Sequence, residues 1–355
     1  MMTDQTLKIA AIGLTEQSLG LMDIAVESGH YAIAAVGDER QDRAESCARK
    51  YECPVFTDTR QLIIQTQADF LLFGIPAYQC IEFIRLGMQQ KCHILRTCPP
   101  TLNFSQLAEL YRLAKKEKVL FLTMQKGRFG LPFEHIRNYV AQTTQKNEQP
   151  WHLVSAVCHV PMGPLEPEMR WLSDPTMAGG GVLLQDCYDL IDELLLCFGL
   201  PQKVYALAIN QAPDRQQRMS LTEDTAIVAM QFTDALIAQI CTSRTLGPAR
   251  RHLRIHGKQQ HLTATEQEVV LYDNDGNLLE QKAYEGDDQP SQKRMLENLA
   301  GHFQEPVKYP LYPYYGFDLN TMAVIEAAYL STRTGMAEDP ARILKLAEID
   351  VTGLL

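Results

Sequence analysis

The sequence predicts an α/β protein in which a doubly wound parallel sheet is followed by a second α/β domain with an open, mainly antiparallel sheet. Three observations carry that reading. Short, nearly all-apolar runs alternate with helical segments over the first 125 residues, as in parallel sheets covered on both faces. From Leu153 the runs lengthen and alternate apolar with polar, the pattern of a half-buried antiparallel strand. The chain of 355 residues exceeds one ordinary core and suffices for two domains. The expected division is 1–125 and 126–355, with the helix of 317–335 placed to pack back on the first domain.

Each element has its own justification. LKIAAIG (7–13) is an apolar run stopped by a glycine, and Leu14, Leu19, Leu21, Met22 and Ile24 to Val26 give the next segment a helical apolar face. YAIAAVG ends at Asp38, followed by a charged helix from Asp42 to Lys50, VFTD, a helix near Arg60 to Thr66, DFLLFGIP, a helix to Gly87, and HILRT. LYRLAKKEK and VLFLTMQ add a last helix and strand. Glu134 to Gln145 then reads as a helix, and LVSAVCHV, KVYALAI, TAIVAMQF, LIAQICTS, RHLRIHG, QEVVLYD and NLLEQKAY read as strands. Asp275-Gly276 between the last two is a hairpin signal. Leu183 to Phe198 reads as one helix, and Gly335 caps the closing helix, whose stripe includes Met322, Ile325, Ala328 and Tyr329.

Composition excludes several classes. Basic residues number 33 against 43 acidic, net −10, with no basic run able to follow a phosphate backbone, so nucleic acid is not an expected partner. No apolar stretch reaches the roughly 20 residues of a membrane span, and MMTDQTLK lacks a secretory pattern, so the expected location is the cytoplasm. Nine cysteines contain no C-x-x-C pair and are expected to stay reduced. Cys158 and His159 are adjacent and poorly placed to share an ion, so no metal is expected.

Two stretches carry candidate chemistry. Gly13-Leu14-Thr15-Glu16-Gln17-Ser18 sits where dinucleotide folds place a glycine-rich turn, but keeps only the first of three glycines. Thr15 and Ser18 add side chains where close approach is wanted, and Glu16 adds negative charge; the turn reads equally as cofactor-binding or structural. Asp38, 25 positions after Gly13, stands where a carboxylate takes the ribose hydroxyls and repels a 2′-phosphate, although a solvated turn acid is the competing reading and Arg40 leaves a phosphorylated ribose open. In GGGVLLQDCYDLIDELLLCFG (179–199), Gln185, Tyr188, Asp189 and Asp192 fall at three- and four-residue spacing, a polar stripe that marks either a cleft or a solvated face.

With these motifs in view, the chain resembles the Gfo/Idh/MocA family of NAD(P)-dependent sugar and cyclitol oxidoreductases, from Lys8 to about Gly335. The likeness rests on HILRTCPP at the family's H-V-L-x-E-K-P position and on WLSDPTMAGGGVLLQDCYDLID at its W…GGG…L-x-D-x-G-x-H-x-x-D position. EDTAIVAMQF, RIHG and the closing AAYLSTRTG add to it. The resemblance implies a Rossmann domain, NAD or NADP as cofactor with NAD favoured, and cofactor contacts at Gly13, Thr15, Ser18, Asp38, Pro76 and Thr97. It also implies a small sugar or polyol derivative as ligand, and a homodimer or higher oligomer through the second sheet.

It also exposes departures. Cys98 stands at the family's lysine position with Thr97 before it, and Gln185 and Asp189 stand at its aspartate and histidine positions. In such enzymes the lysine polarises the reacting hydroxyl and the histidine exchanges its proton. A thiol supplies no cation and an amide cannot titrate, so Cys98 reads as a replacement rather than a nucleophile. Lys126 in MQKGRF, or Tyr188 with Asp189, are the alternative sources of a cation and an acid/base pair. The expectation is a protein with a degenerate site, weak cofactor binding and weak or no dehydrogenase activity, a sensor or subunit, with a rearranged active enzyme as the alternative.

Overall fold

The computed structural model describes residues 6–145, 151–163, 165–211, 222–284, 289–311 and 315–348. They form two units: residues up to Lys126 together with Asp288–Asp318, and Gly127–Asp287 together with Leu319–Ile349.

The first unit contains β1 (Leu7–Ile12), α1 (Glu16–Glu27), β2 (Tyr31–Gly37), α2 (Gln41–Tyr51), β3 (Val55–Phe56) and α3 (Thr59–Gln65). It continues through β4 (Phe70–Phe73), α4 (Ala77–Gln89), β5 (His93–Arg96), α5 (Phe104–Glu117) and β6 (Phe121–Thr123). The sheet order is β3-β2-β1-β4-β5-β6 with every pairing parallel, the doubly wound arrangement that reverses direction between β1 and β4. Helices on both faces explain why its strands lack alternation: Ile9 to Ile12 and Phe70 to Phe73 are all buried. Asp58 and Asn103 cap α3 and α5, each accepting a backbone N–H with its side chain.

A short 3₁₀ turn, Lys126–Phe129, begins at the last residue of the first unit's opening stretch, and the second unit continues through α6 (Leu131–Gln145), β7 (Trp151–His159), α7 (Pro175–Ala178), α8 (Val182–Gln185) and α9 (Tyr188–Phe198). Then come β8 (Lys203–Ile209), β9 (Thr225–Gln231), β10 (Ile237–Ser243), β11 (Arg250–Gly257), β12 (Gln260–Ala264), β13 (Glu268–Asp273) and β14 (Leu278–Ala283). The order is β14-β13-β12-β11-β7-β10-β9-β8, antiparallel except for the parallel pair β7–β10. Alternation is clean in β8 to β10: Val204, Ala206, Val228 and Ile240 are buried, whereas Tyr205, Leu207, Ile209, Ile227 and Ile237 are 40–59% exposed on the opposite face. Two helices close the chain, α11 (Asp318–Thr334), followed by Gly335 at φ +68°, and α12 (Pro340–Leu346).

Several expectations change. The helix expected over 183–198 is two helices, α8 and α9, interrupted at Asp186-Cys187. An unannounced helix, α10 (Gln289–Gln304), belongs to the first unit, where Tyr31 Oη donates to the Leu296 carbonyl at 2.8 Å and Phe303 meets Phe70 edge-on. Strand β12, QHLTA, also escapes the pattern because His261 and Thr263 interrupt an otherwise short apolar signal.

Candidate active site

At the end of β1 the chain turns through Gly13 at φ +80°, where a Cβ would stand 2.3 Å from Ile75 Cγ2 and 2.8 Å from Ile75 N. No other residue fits that turn. Thr15 caps α1, its Oγ1 accepting from Ser18 N at 3.3 Å. Ser18 donates its hydroxyl to the Gly13 carbonyl at 2.7 Å. Its Cβ is accommodated because the strand-side partner is Gly74, where a Cβ would lie 2.4 Å from Gly13 O and 2.8 Å from Ser18 Oγ. The close approach given elsewhere by a third glycine is thus kept by removing the methyl from the facing chain. The first N–H groups of α1 have no intrahelical acceptors and sit at the positive end of its dipole, which suits a pyrophosphate.

Asp38, just after β2, accepts from Leu14 N at 2.6 Å and from Arg40 N at 2.8 Å. Each carboxylate oxygen keeps a lone pair for a ribose hydroxyl. Arg40 pairs with the exposed Asp42 at 3.1 Å, while Arg43, unremarked in the sequence, donates to the Leu14 carbonyl at 3.0 Å and braces the same turn. Pro76 occupies the cap position of α4. The turn, helix start and acidic residue therefore fit a dinucleotide. At the end of β5, Arg96 and Thr97 are buried and bonded to each other and to the Phe73 carbonyl. Cys98, joined to Pro99 by a cis peptide, receives the Gln125 amide at 3.5 Å. Lys126 opens the 3₁₀ turn, and its side chain lies outside the described residues.

In the second unit the Gly179-Gly180-Gly181 turn is sterically obligatory: a Cβ on Gly180 would sit 2.0 Å from Tyr329 Oη and one on Gly181 1.8 Å from Glu223 O. Glu223 caps the start of α8, accepting from Gly181 N at 2.8 Å, Leu183 N at 3.0 Å and Tyr329 Oη at 2.8 Å. Gln185 ends α8 and donates its amide to the Ala178 carbonyl at 2.6 Å. Asp189 lies in the first turn of α9, half-buried, while Tyr188 is a core residue at 1% exposure. The expected polar stripe is not a solvated face. Asp192, 1% exposed, takes a bidentate pair from Arg128 (Nε–Oδ2 2.7 Å, Nη2–Oδ1 2.8 Å) and a third bond from Thr321 at 2.7 Å.

Two further carboxylates of this segment are matched to arginines, one in β11 and one just after β10. Arg251 meets Glu193 at 2.5 Å and Arg244 meets Asp186 at 2.5 Å. Burial pushes the Glu193 and Asp186 carboxyls above their usual range, against the pull of those arginines. Burial also works against the charge on Arg251, but Glu193 and Asp189 outweigh it and hold the guanidinium protonated. None of these arginines was legible as a site residue, since each lies 58 to 64 positions from its carboxylate. Among the described residues no three metal-ligating side chains converge.

The sheet order, the glycine turn with its acidic partner and the open second sheet define a two-unit, dinucleotide-binding oxidoreductase fold. The chain belongs to the Gfo/Idh/MocA family. The model of the oxidoreductase family's NAD-binding Rossmann fold matches residues 7–125, and that of the Gfo/Idh/MocA C-terminal domain matches residues 150–263. Its cofactor is accordingly of the NAD(P) class. An uncharacterized oxidoreductase of Schizosaccharomyces pombe is 24% identical over 184 residues, 51% of this chain and 48% of that protein, so the match spans about half the relative's length. Levoglucosan dehydrogenase in complex with NADH and levoglucosan superposes with a TM-score of 0.81 at 13% identity, covering 94% of this chain and 99% of that one. An Agrobacterium radiobacter oxidoreductase with NAD+, L-tartaric acid and magnesium gives 0.79 at 13%, covering 96% and 100%. The WlbA dehydrogenase of Bordetella pertussis with NADH and UDP-GlcNAcA gives 0.78 at 14%, covering 94% and 99%.

Proposed function

We propose that this protein binds NAD through its first unit and a small sugar or polyol derivative through its second, with little or no sugar or polyol dehydrogenase activity, and serves as a sensor or subunit. One observation carries the reading. At the family's aspartate position stands Gln185, an amide that neither gains nor loses a proton and is engaged with the Ala178 carbonyl. The neighbouring departures agree, since Cys98 brings no cation and Asp189 replaces an imidazole with a carboxylate. When bound, nicotinamide supplies hydride transfer; what the chain must add is a held hydroxyl and a proton acceptor tuned near neutrality. Those are the parts replaced. Similar folds that hold levoglucosan, tartaric acid or a nucleotide sugar support a polyhydroxylated ligand.

NAD is favoured over NADP because Asp38 would face a 2′-phosphate. The outward row Tyr205, Leu207, Ile209, Ile227 and Ile237 supports pairing with a second copy through the sheet. Nine free thiols, and the absence of any helix long and apolar enough to cross a membrane among the described residues, suit the cytoplasm. A second reading, an enzyme with a rearranged site, is favoured by Glu193, whose proton affinity burial raises beside Asp189 and Arg251. The test is NADH formation from NAD with simple sugars and inositols. Turnover at rates ordinary for dehydrogenases, abolished by Glu193→Gln or Lys126→Ala, overturns the degenerate-site reading; no turnover despite measurable NAD binding supports it.

A further inference from the structure

The carboxyl end of β5 buries a cation that forms no ion pair among the described residues. Arg96 is 2% exposed. Its Nη1 donates to the Phe73 carbonyl at 3.1 Å and to Thr97 Oγ1, its guanidinium reaches the Cys80 thiol, and its Nε is buried without an acceptor. Burial holds the Cys80 thiol above its ordinary range, so it stays neutral, and no carboxylate among the described residues forms an ion pair with Arg96. Cys80 lies in the first turn of α4, so the positive end of that helix dipole adds to the guanidinium instead of offsetting it.

Keeping an unpaired cation out of water is costly, and each such group in a folded protein calls for an explanation, a role toward a bound molecule among them. In a doubly wound sheet of order 3-2-1-4-5-6, the half built on β1 to β3 carries the adenosine end of a dinucleotide and the half built on β4 to β6 carries the nicotinamide end. Arg96 ends the middle strand of that second half. The adenosine and pyrophosphate are common to both redox forms, whereas the nicotinamide ring is cationic when oxidised and neutral when reduced. We infer that Arg96 sets the redox preference of cofactor binding, so that the first unit holds NADH more tightly than NAD+. This rests on the dinucleotide reading above and deepens it: a protein that responds to the reduced cofactor needs discrimination between two forms differing by one charge.

The experiment compares dissociation constants of NAD+ and NADH by calorimetric titration for wild type, Arg96→Met and Arg96→Lys, with Arg96→Gln as a second neutral variant should the methionine form not fold. Wild type should bind NADH at least about tenfold more tightly, the scale of a like-charge interaction at reduced dielectric. The neutral variant should bring the two constants within about threefold, chiefly by tightening NAD+. Arg96→Lys should keep the preference. A merely structural arginine, or one that grips a phosphate, would weaken both forms alike when replaced, leaving the ratio unchanged, and that result overturns the inference. So does tighter binding of NAD+ by wild type. Binding of neither form overturns the dinucleotide reading as well.

Discussion

Asp192→Asn should destabilise the second unit by about 3–5 kcal/mol, the range for stripping one partner from a buried ion pair. The structure supports the upper part of that range. Three charge-assisted bonds of 2.7, 2.8 and 2.7 Å converge on this carboxylate, and the side chains of Arg128 and Asp192 are only 4% and 1% exposed. Asparagine keeps the volume but leaves the guanidinium buried beside a neutral amide. For a unit of this size each kcal/mol moves the melting temperature by about 2–4 °C, so a fall of about 10 °C is expected. Both tryptophans, Trp151 and Trp171, lie in the second unit, so intrinsic fluorescence during urea unfolding reports on it selectively. A loss below about 1 kcal/mol would refute the claim that the pair is desolvated. The double change Arg128→Met with Asp192→Leu should recover most of the loss; a double variant as unstable as the single would mean that shape, not charge, holds this site.

Asp38→Ala should weaken NAD binding by about tenfold, because it removes both the ribose acceptor and the anchor on Leu14 N; titration that finds NAD affinity unchanged contradicts the placement. Cys98→Lys alone should not produce sugar oxidation, while adding Gln185→Asp and Asp189→His should yield more NADH than any single change, because groups acting as a unit are strongly non-additive. Burial raises the Glu223 carboxyl above its ordinary 4.5 despite the hydrogen bonds it accepts from Leu183, Tyr329 and Gly181. Its folded pKa therefore exceeds its unfolded one, so its favourable contribution is complete below about pH 4.5 and is lost as pH rises through the folded value. Urea unfolding of Glu223→Gln should show a stability relative to wild type that rises as the pH is taken above 4.5. Leu207→Asp, on the exposed sheet face, should shift light-scattering mass toward one chain without altering the circular dichroism spectrum.

What the sequence shows is what local pattern encodes. Strand β8 was legible to the residue because KVYALAI alternates, and the β13–β14 hairpin was legible because Asp275-Gly276 demands a turn, with Gly276 at φ +85°. The break at Asp186-Cys187 was hidden because both residues suit a helix by spacing; its cause is tertiary, with Asp186 held by Arg244 and the Asp186 carbonyl facing the Cys158 thiol at 3.6 Å. Cys98, Gln185 and Asp189 were singled out by their places in the family's motifs. Their surroundings could not be, since Arg128, Arg244, Arg251 and Glu223 reach the α8–α9 segment from distant parts of the chain.

The composition of the first unit from two separated stretches has a consequence for synthesis on the ribosome. Tyr31 waits for the Leu296 carbonyl and Phe70 for the ring of Phe303, and both belong to α10, which emerges only after more than 160 further residues have been made. At about 5–20 residues per second that interval is roughly ten to thirty seconds. Throughout it Tyr31 and Phe70 of the nascent parallel sheet lack these partners while the second unit is still being translated. Chaperone dependence and temperature-sensitive yield should therefore track substitutions in α10, such as Leu296→Ala, more closely than their effect on the finished protein's stability would suggest.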